Sequence, residues 1–454
     1  MITQRFKESL SYWWAGLSPE VSEQRILSSI PHLQQAPTRD NRNILTLSTE
    51  ISTLGNNRAV DHKIISSEIP EYCPRQWHLN RIKLHGKNCV LNEFTIERLN
   101  EEVQNNLVIL HGYGGGLCFF YKNFEALSRA PGWRLYALDL LGMGRSSRPP
   151  FKINAKNPEE QVAEAEHWFI DAIEEWRIKR KIERFAFLGH SFGGYIAIAY
   201  ALKYPGHLTK LILASPVGIS ENPNQISTGA RKARRVALNS TATNTQVPRE
   251  PIPMWLKFVW AVKISPFTLV RWSGPLGLKL FSIWFKREFK QLPPEELQAL
   301  HDYTYSIFQL PGSSEYALTY IFEPGTFARL PLVRRIQDTG RQFNDCLDNS
   351  QSSEHLDCTT QRHRGKVIPF VFIYGENDWA DIEGGYATEQ IMNTHGGQKL
   401  NGTIKQERRK DQSSGKVIIL PDIGHYIYFH PQFNRVVLDE IKNIATPTAK
   451  DNLY

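Results

Sequence analysis

Cysteine is scarce and irregularly placed in this chain of 454 residues. Its five cysteines are Cys73, Cys89, Cys118, Cys346 and Cys358, an odd number without a C-x-x-C pair. Structural zinc sites use closely spaced thiolates, and disulfide frameworks use paired cysteines. The sequence therefore argues against a zinc site and a disulfide framework, and it favours a reducing compartment.

Long hydrophobic runs and nucleic-acid-binding patterns are also missing. No unbroken apolar run approaches the roughly 20 residues that a membrane-spanning helix needs, and no secretory signal is visible. The formal net charge is +8, from 54 basic and 46 acidic residues, which favours an acidic partner. Because the basic residues form no array interleaved with aromatic residues, we expect no nucleic-acid partner and favour anionic lipid.

What the chain does contain is a serine on a predicted sharp turn. Residues 189–193 read G-H-S-F-G, between the apolar run 185–188 and the small-residue segment 193–201. The run predicts a buried strand, and the segment predicts the helix that follows it. Glycines at both ends allow such a turn to close, so that the Ser191 hydroxyl projects at the carboxyl edge of a sheet. The pattern indicates a nucleophile elbow, with a glycine-rich packing turn as the alternative.

A second glycine-rich loop precedes this serine in the chain. A short apolar run predicts a buried strand that leads into H-G-Y-G-G-G at 111–116. Consecutive glycines allow backbone N–H groups to approach a substrate oxygen closely. We therefore assign the oxyanion hole to the N–H of a residue within 113–115, represented by Tyr113 and Gly114, together with that of Phe192.

The acid and the base are predicted downstream of the serine, in the chain order that this kind of fold uses. Asp378 follows the strand-like run 367–374, and Asp381 competes with it for the role of the acid. His425 follows the next strand-like run, 416–421, and is the predicted base.

The mechanism that these residues predict uses only side chains and backbone. Ser191 attacks an acyl carbonyl, His425 accepts its proton, and Asp378 orients the imidazolium. His111 and His190 also flank the serine loops by sequence, and we interpret them as positioning groups. The mechanism implies no metal and no organic cofactor.

The order of these patterns predicts the fold class α/β, as an α/β-hydrolase fold. We expect a mostly parallel sheet with flanking helices and a helical lid inserted after the sixth strand. Strand patterns stop after residue 218 and resume at residue 367. The predicted segments are an amino-terminal extension at 1–70, a first part of the hydrolase core at 71–218, a lid at 219–365 and a second part of the core at 366–454.

The lid segment is rich in aromatic residues. Residues 254–285 mix apolar and basic side chains, and Pro266 and Pro275 divide them into short helices. Such helices can lie on a bilayer with lysines reaching the headgroups, or they can bury their apolar faces as the cap of a pocket. Both alternatives predict a long-chain acyl substrate. The candidate substrate-binding residues are Trp255, Trp260, Trp272 and Trp284.

Longer motifs are shared with a known family. Besides the two glycine motifs they are D-L-L-G-M-G-R-S-S-R-P at 139–149, S-G-P-L-G-L at 273–278, R-L-P-L at 329–332, D-W-A-D at 378–381 and G-H-Y-I-Y at 424–428. Over roughly residues 70–445 the chain resembles the lipid-acting branch of the α/β hydrolases. This branch includes the yeast mitochondrial cardiolipin deacylase, lysophosphatidic-acid acyltransferase-like proteins, and the animal lipase co-activators and N-acyl-phospholipid lipases.

The resemblance implies a serine acylhydrolase of the phospholipase or deacylase type. Its substrate would be a phospholipid or lysophospholipid, such as cardiolipin, at a membrane surface to which the protein binds peripherally. Two alternatives stay open: an acyltransferase that acylates lysophosphatidic acid from acyl-CoA, and a membrane-docked lipase regulator without catalysis. The resemblance also implies a mitochondrial location, with the surface of the lipid droplet or the endoplasmic reticulum as the alternative.

Two comparisons with members of this branch bear on the alternatives. The co-activators lack the nucleophilic serine, so the presence of Ser191 disfavours a role without catalysis. Many members carry H-x-x-x-x-D from the triad histidine, whereas His430 stands here in place of the aspartate. This departure favours hydrolysis over acyl transfer.

Overall fold

A sheet of nine strands forms the centre of the described part of the chain. The computed structural model describes residues 16–35, 74–222, 260, 263–336, 339, 368–397, 415–442 and 444. The strands are β1 (Gln34–Gln35), β2 (Arg75–Lys83), β3 (Val90–Arg98), β4 (Asn105–Leu110), β5 (Trp133–Leu138), β6 (Phe185–His190), β7 (Leu208–Ala214), β8 (Phe370–Gly375) and β9 (Gly415–Leu420). Their spatial order is β1-β2-β3-β5-β4-β6-β7-β8-β9.

Most neighbouring strands are parallel. The strand β3 runs antiparallel to β2 and β5, whereas every neighbouring pair from β5 to β9 is parallel. Together with the flanking helices, this sheet confirms the predicted fold class. The lid follows β7, which is the sixth of the strands that the sequence predicts. The additional strand is β1, whose two residues carry no strand pattern and pair with β2.

Helices lie on both faces of the sheet. The α-helices are α1 (Pro19–Ser28), α2 (Tyr121–Leu127), α3 (Pro158–Lys179), α4 (Phe192–Lys203), α5 (Pro266–Trp272), α6 (Gly274–Glu288), α7 (Pro294–Phe308), α8 (Ala317–Ile321), α9 (Ile382–Gly397) and α10 (Phe433–Lys442). Short 3-10 helices are found at Leu117–Phe120, Pro205–His207, Ser314–Tyr316, Leu332–Arg334 and Ile427–Phe429. The helices α5 to α8 belong to the lid segment.

Helix α3 shows how the local sequence sets an element. Asn157 accepts a hydrogen bond from the backbone N–H of Glu159 (2.9 Å), and Pro158 occupies the first helical turn. Acidic residues in the first turn and basic residues in the last complement the helix dipole. Its apolar side chains, including Phe169 and Trp176, are buried against the sheet. The helix therefore begins after a capping asparagine, and its apolar face packs against the sheet.

The sheet separates two apolar cores. Along β4, Leu107 and Ile109 contribute to one core, whereas Val108 and Leu110 contribute to the other. Side chains of a strand alternate between the two faces, so a strand that is buried on both sides needs apolar residues at successive positions. The carboxyl ends of β4, β6, β8 and β9 lie along one edge of this sheet, and the loops that follow them carry the predicted site residues.

Helix α1, within the predicted amino-terminal extension, is part of this core. Leu27 is buried among apolar side chains, and Glu23 is buried as well. The Glu23 carboxylate accepts a hydrogen bond from Asn92 Nδ2 (2.8 Å) and pairs with Arg145. Burial, reinforced by the charge of Asp139, raises the pKa of Glu23 to about 7. The extension therefore contributes a buried ionisable group to the core.

One arginine joins the lid to the core. The Arg148 guanidinium donates to the carbonyl oxygens of Gly142 (2.8 Å) and Gly144 (2.9 Å) in the loop after β5. It also donates to those of Ile307 (3.2 Å) and Pro311 (3.3 Å) in the lid. Burial lowers the pKa of Arg148 to about 10, so it stays charged at neutral pH. A half-buried cation thus holds the end of α7 against the core.

Candidate active site

Ser191 lies on a strained turn between β6 and α4. Its backbone has φ 54° and ψ −116°, a conformation that non-glycine residues rarely adopt and that recurs at functional sites. A Cβ on Gly193 would lie 2.6 Å from the backbone oxygen of His111, and one on Gly189 would lie 2.4 Å from that of Gly193. Both glycines are therefore required by close backbone approach. The turn places the serine at the carboxyl edge of the sheet.

The structure brings the predicted nucleophile, base and acid together. The Ser191 hydroxyl lies 2.9 Å from His425 Nε2, and His425 Nδ1 lies 2.9 Å from Asp378 Oδ1. All three residues are buried, with exposed fractions of 8% for Ser191, 6% for His425 and 8% for Asp378. Asp378 follows β8 and His425 follows β9, so the parallel sheet aligns residues that are far apart in the chain. The result is a continuous hydrogen-bonded chain of three side chains.

The surroundings of Asp378 favour its ionised form. Burial opposes ionisation, but the hydrogen bond and the charge of His425 outweigh it, so the pKa of Asp378 is lowered. Asp378 Oδ1 also accepts a hydrogen bond from the backbone N–H of Ala380 (2.9 Å). An ionised Asp378 holds the His425 proton on Nδ1, so that Nε2 can accept the serine proton. Asp381, the competing candidate, lies in the same loop directly before α9, and it is Asp378 that contacts His425.

His190 and His111 make the contacts of positioning groups. His190 donates from Nε2 to the backbone oxygen of His425 (3.0 Å), and burial lowers the pKa of His190 to about 3. Nε2 of His111 accepts from the backbone N–H of Leu140 (3.0 Å), while Nδ1 contacts the Gly112 oxygen (2.7 Å). Burial also lowers the pKa of His111. Both rings are therefore neutral at pH 7 and hold loops that border the site.

The glycine-rich loop lies directly against the serine. A Cβ on Gly112 would lie 3.1 Å from the Cβ of the serine. Gly115 donates its N–H to the Gly112 oxygen (3.1 Å), so this N–H is occupied. Phe192 is the first residue of α4, where a backbone N–H has no acceptor within the helix. Tyr113, Gly114 and Phe192 therefore remain the candidate oxyanion donors.

Aromatic side chains cover this part of the molecule. The ring of Phe267, in α5, stacks on Tyr113 with 5.0 Å between centroids. A Cβ on Gly114 would lie 2.4 Å from the Phe267 ring, so only glycine allows this approach. The centroid of the Trp379 ring lies 4.1 Å from that of the His425 ring. Aromatic groups from the lid and the core thus flank the candidate site.

The four lid tryptophans are placed differently from one another. Trp255 lies outside the described residues. Trp260 is half-buried and donates its indole N–H to the Phe322 oxygen (3.1 Å). Trp272 and Trp284 are 76% and 38% exposed. No hydrogen bond or ring contact found among the described residues joins these tryptophans to the serine, acid or histidine. Their role in substrate binding stays a prediction.

Three side chains near the site receive no role from the sequence. Trp379 covers the histidine, and Phe267 covers the glycine loop. Asp139 accepts a hydrogen bond from the backbone N–H of Leu117 (2.7 Å), directly after that loop. Trp379 follows the predicted acid and Asp139 directly follows β5, so their positions in the sequence offered a signal. Phe267 offered none, because the lid contains many aromatic residues.

Two kinds of feature are not found in the part of the chain that the structure describes. No cluster of three His, Cys, Asp or Glu side chains there is arranged to hold a metal ion. None of the helices described is both long enough and apolar enough to cross a membrane.

Sequence comparison finds related proteins that are named for similar activities. Residues 105–247 match the family described as alpha/beta hydrolase fold. A probable 1-acylglycerol-3-phosphate O-acyltransferase from Oryza sativa is 32% identical, over 72% of this chain and 64% of its own length. The 1-acylglycerol-3-phosphate O-acyltransferase ABHD5 of Sus scrofa is 32% identical, over 74% of this chain and 77% of its own. The 1-acylglycerol-3-phosphate O-acyltransferase ICT1 of Saccharomyces cerevisiae is 25% identical, over 72% of this chain and 78% of its own length.

The coverage differs among these relatives. The chain spans about three-fifths of the length of the plant and rat relatives that it matches. It spans more than three-quarters of the pig protein at 32% identity, and the matched residues 105–247 include the serine turn and the glycine-rich loop. The chain therefore belongs to the α/β hydrolases, in the lipid-acting branch that contains ABHD5, ICT1 and their plant relatives.

Proposed function

We propose that the protein is a serine acylhydrolase that cleaves fatty-acyl esters of phospholipids or lysophospholipids. The observation that carries this proposal is the hydrogen-bonded chain from Ser191 through His425 to Asp378, with 2.9 Å at each step. A hydroxyl, a neutral imidazole and an ionised carboxylate in this order form the machinery of nucleophilic acyl transfer. No metal or organic cofactor enters the mechanism.

The proposed reaction has two balanced steps. Ser191 Oγ attacks the acyl carbonyl, its proton passes to His425 Nε2, and the C–O bond of the ester breaks as the leaving lipid oxygen takes that proton. Water then attacks the acyl-serine, gives its proton to His425 and releases a fatty acid as the serine regains its hydrogen. The backbone N–H groups of Phe192 and of Tyr113 or Gly114 stabilise the negative oxygen in both steps.

The relatives support a glycerophospholipid substrate. Those compared here are named for the acylation of 1-acylglycerol-3-phosphate, a lysophospholipid with a phosphate monoester. We therefore take 1-acylglycerol-3-phosphate as the first substrate to test. Cardiolipin, which the resemblance to the yeast deacylase implies, is the second.

Acyl transfer from acyl-CoA to 1-acylglycerol-3-phosphate is the second candidate function, favoured by the names of these relatives. The departure at His430 favours hydrolysis by sequence, but it leaves acyl transfer open. His430 Nδ1 accepts a hydrogen bond from the backbone N–H of Gln432 (3.2 Å), in the turn that begins α10. An aspartate side chain can also accept a hydrogen bond from the backbone N–H two residues on, so either residue can fill this position. The same acyl-serine would then be resolved by a lipid hydroxyl instead of water.

An exposed apolar stripe on the lid supports binding to a membrane surface. On α6, Leu276, Leu280 and Ile283 are 56%, 58% and 59% exposed and follow each other at helical spacing. Exposed basic residues accompany the stripe at Lys279, Lys286, Arg287 and Lys290. Apolar side chains next to cations suit an interface with anionic headgroups. We propose a peripheral location on the mitochondrial membrane, with the lipid droplet or the endoplasmic reticulum surface as the alternative.

The test measures products with purified full-length protein. Vesicles containing 1-oleoylglycerol-3-phosphate or cardiolipin are incubated with and without acyl-CoA, and free fatty acid and the doubly acylated phosphate lipid are quantified. Ser191→Ala should lose several orders of magnitude in fatty-acid release, because the triad acts as a unit. The exposed serine variant Ser28→Ala is the control and should keep full activity.

Each outcome decides among the candidates. Release of fatty acid that depends on Ser191 supports hydrolysis, and faster formation of the doubly acylated lipid from acyl-CoA supports acyl transfer instead. Activity that survives in folded Ser191→Ala contradicts both. If neither product forms and the protein stimulates a separate lipase, the result would support the regulator without catalysis.

A further inference from the structure

A groove on the surface has no part in the mechanism above. Its volume is about 370 Å³, and it lies between the core segment 151–154 and the lid. The lining residues are Phe151, Lys152, Ile153, Asn154, Lys263, Tyr316 and Tyr320. The groove therefore opens where the lid meets the core.

The groove combines two cations with aromatic walls. Lys263 Nζ lies 3.8 Å from the centroid of the Tyr320 ring, which holds the ammonium group at the groove. Lys152, which also lines the groove, is exposed. Glu164 is the carboxylate beside this segment, and it accepts hydrogen bonds from the backbone N–H of Asn154 (3.0 and 2.9 Å) and from its Nδ2 (3.0 Å). Among the described residues no ion pair joins Lys152 or Lys263 to a carboxylate, so both ammonium groups are available to an anion.

The groove is connected to the glycine loop by adjacent residues. Tyr316 lines the groove, and the preceding residue, Glu315, accepts a hydrogen bond from the Tyr113 hydroxyl on its backbone oxygen (3.0 Å). Tyr113 is one of the candidate oxyanion donors. A ligand in the groove would thus lie next to the segment that supports the proposed acyl-transfer site.

We infer that this groove binds the phosphate monoester of the substrate, with Lys152 and Lys263 as its counter-charges. Two ammonium groups in the lining of one groove suit a dianionic group, and the tyrosine rings suit the carbon skeleton that carries it. The inference rests on the proposed function, because it assigns the headgroup of the same lipid. Two reactants offer this chemistry: 1-acylglycerol-3-phosphate and the 3′-phosphate of acyl-CoA.

The experiment compares esters with and without the phosphate. One arm uses 1-octanoylglycerol-3-phosphate and 1-octanoylglycerol; the other uses octanoyl-CoA and its 3′-dephospho form. The variants are Lys152→Gln, Lys263→Gln and the double variant, and the control is Lys156→Gln, an exposed lysine outside the groove. The measured quantity is the ratio of kcat/KM for the phosphorylated ester to that for its unphosphorylated counterpart.

We expect each single substitution to lower this ratio about tenfold, mainly through KM, and the double variant to lower it further. A fall confined to the glycerol arm assigns the groove to the lipid headgroup, and a fall confined to the CoA arm assigns it to acyl-CoA. An unchanged ratio in the double variant in both arms, or an equal fall with Lys156→Gln, would overturn the inference.

A binding measurement separates the groove from the chemistry. Titration calorimetry of 1-octanoylglycerol-3-phosphate with Ser191→Ala requires no turnover. If Ser191 proves dispensable for activity but the lysine substitutions still weaken this binding about tenfold, the proposed function fails and the groove stands. If Ser191 is essential and binding is indifferent to both lysines, the groove fails and the proposed function stands.

Discussion

Replacing Asp378 by asparagine tests the proposed acid and its electrostatic role. The carboxylate oxygen lies 2.9 Å from His425 Nδ1, so in the transition state a full negative charge stands beside the imidazolium. With charge centres about 4 Å apart and an effective dielectric constant of about 20, the attraction is about 4 kcal/mol. Since about 1.4 kcal/mol corresponds to a factor of ten in rate, loss of the charge should lower kcat by about 10³.

The structure also predicts how the asparagine amide should orient. Oδ1 accepts from both His425 and the backbone N–H of Ala380, so the amide oxygen should keep that position. The amide nitrogen would then take the place of Oδ2. Among the described residues, neither Oδ2 nor the Ser215 hydroxyl, both buried, has a hydrogen-bond partner within normal geometry. The histidine therefore keeps its proton on Nδ1. We expect a loss near 10³, smaller than the roughly 10⁴ seen when a triad asparagine imposes the wrong tautomer.

The assay is hydrolysis of a soluble ester such as 4-nitrophenyl butyrate, with thermal unfolding as a check on folding. Asp381→Asn is the matched control and should stay within about twofold of the wild type. A loss below tenfold for Asp378→Asn, or a larger loss for Asp381→Asn, would refute the electrostatic reasoning and reassign the acid.

Membrane binding and pH dependence give further expectations. Leu280→Ser with Ile283→Ser should weaken binding to anionic vesicles about 30-fold, since two side chains more than half exposed would lose roughly 2 kcal/mol of burial. Hydrolysis of the soluble ester should persist, and Ile178→Ser, an exposed site on α3, is the control; unchanged vesicle binding would contradict the proposal. For Glu23, whose pKa is raised to about 7, the stabilisation of the protonated form is complete below about pH 4.5 and is lost as pH rises through 7. The free energy of unfolding, measured by thermal unfolding, should therefore fall by about 3 kcal/mol in total between these pH values. Glu23→Gln should flatten this dependence of stability on pH. An equal pH dependence in the variant would contradict the role of Glu23.

The strands and the order of the site residues could be predicted because they follow local patterns. Ser191, Asp378 and His425 each follow an apolar run, and in a parallel sheet the ends of such runs meet at one edge. The choice between Asp378 and Asp381 needed the structure, because both lie in the same loop. Local spacing does not fix which side chain of a loop points inward.

The burial of Glu23 could not be predicted from its neighbourhood. A charged residue suggests solvent exposure, and residues 1–70 are predicted to be an extension outside the hydrolase core. Its partners Asn92 and Arg145 come from distant parts of the chain, so only the tertiary fold brings the compensating charges together. The lid presents the same difficulty, because its composition does not say which aromatic rings face the core and which face solvent.

The way in which Arg148 holds the lid has a consequence for evolution and engineering. The guanidinium donates hydrogen bonds to four backbone carbonyl oxygens, and every amino acid has such a carbonyl. As far as this contact is concerned, Ile307 and Pro311 can be exchanged for other residues without loosening it, provided that the backbone path is kept. Selection can therefore remodel the lid for new substrates while one unchanged arginine keeps it docked. Because the contact uses only backbone carbonyls of the lid, this junction is also a suitable place to join the lid of another protein to the catalytic core.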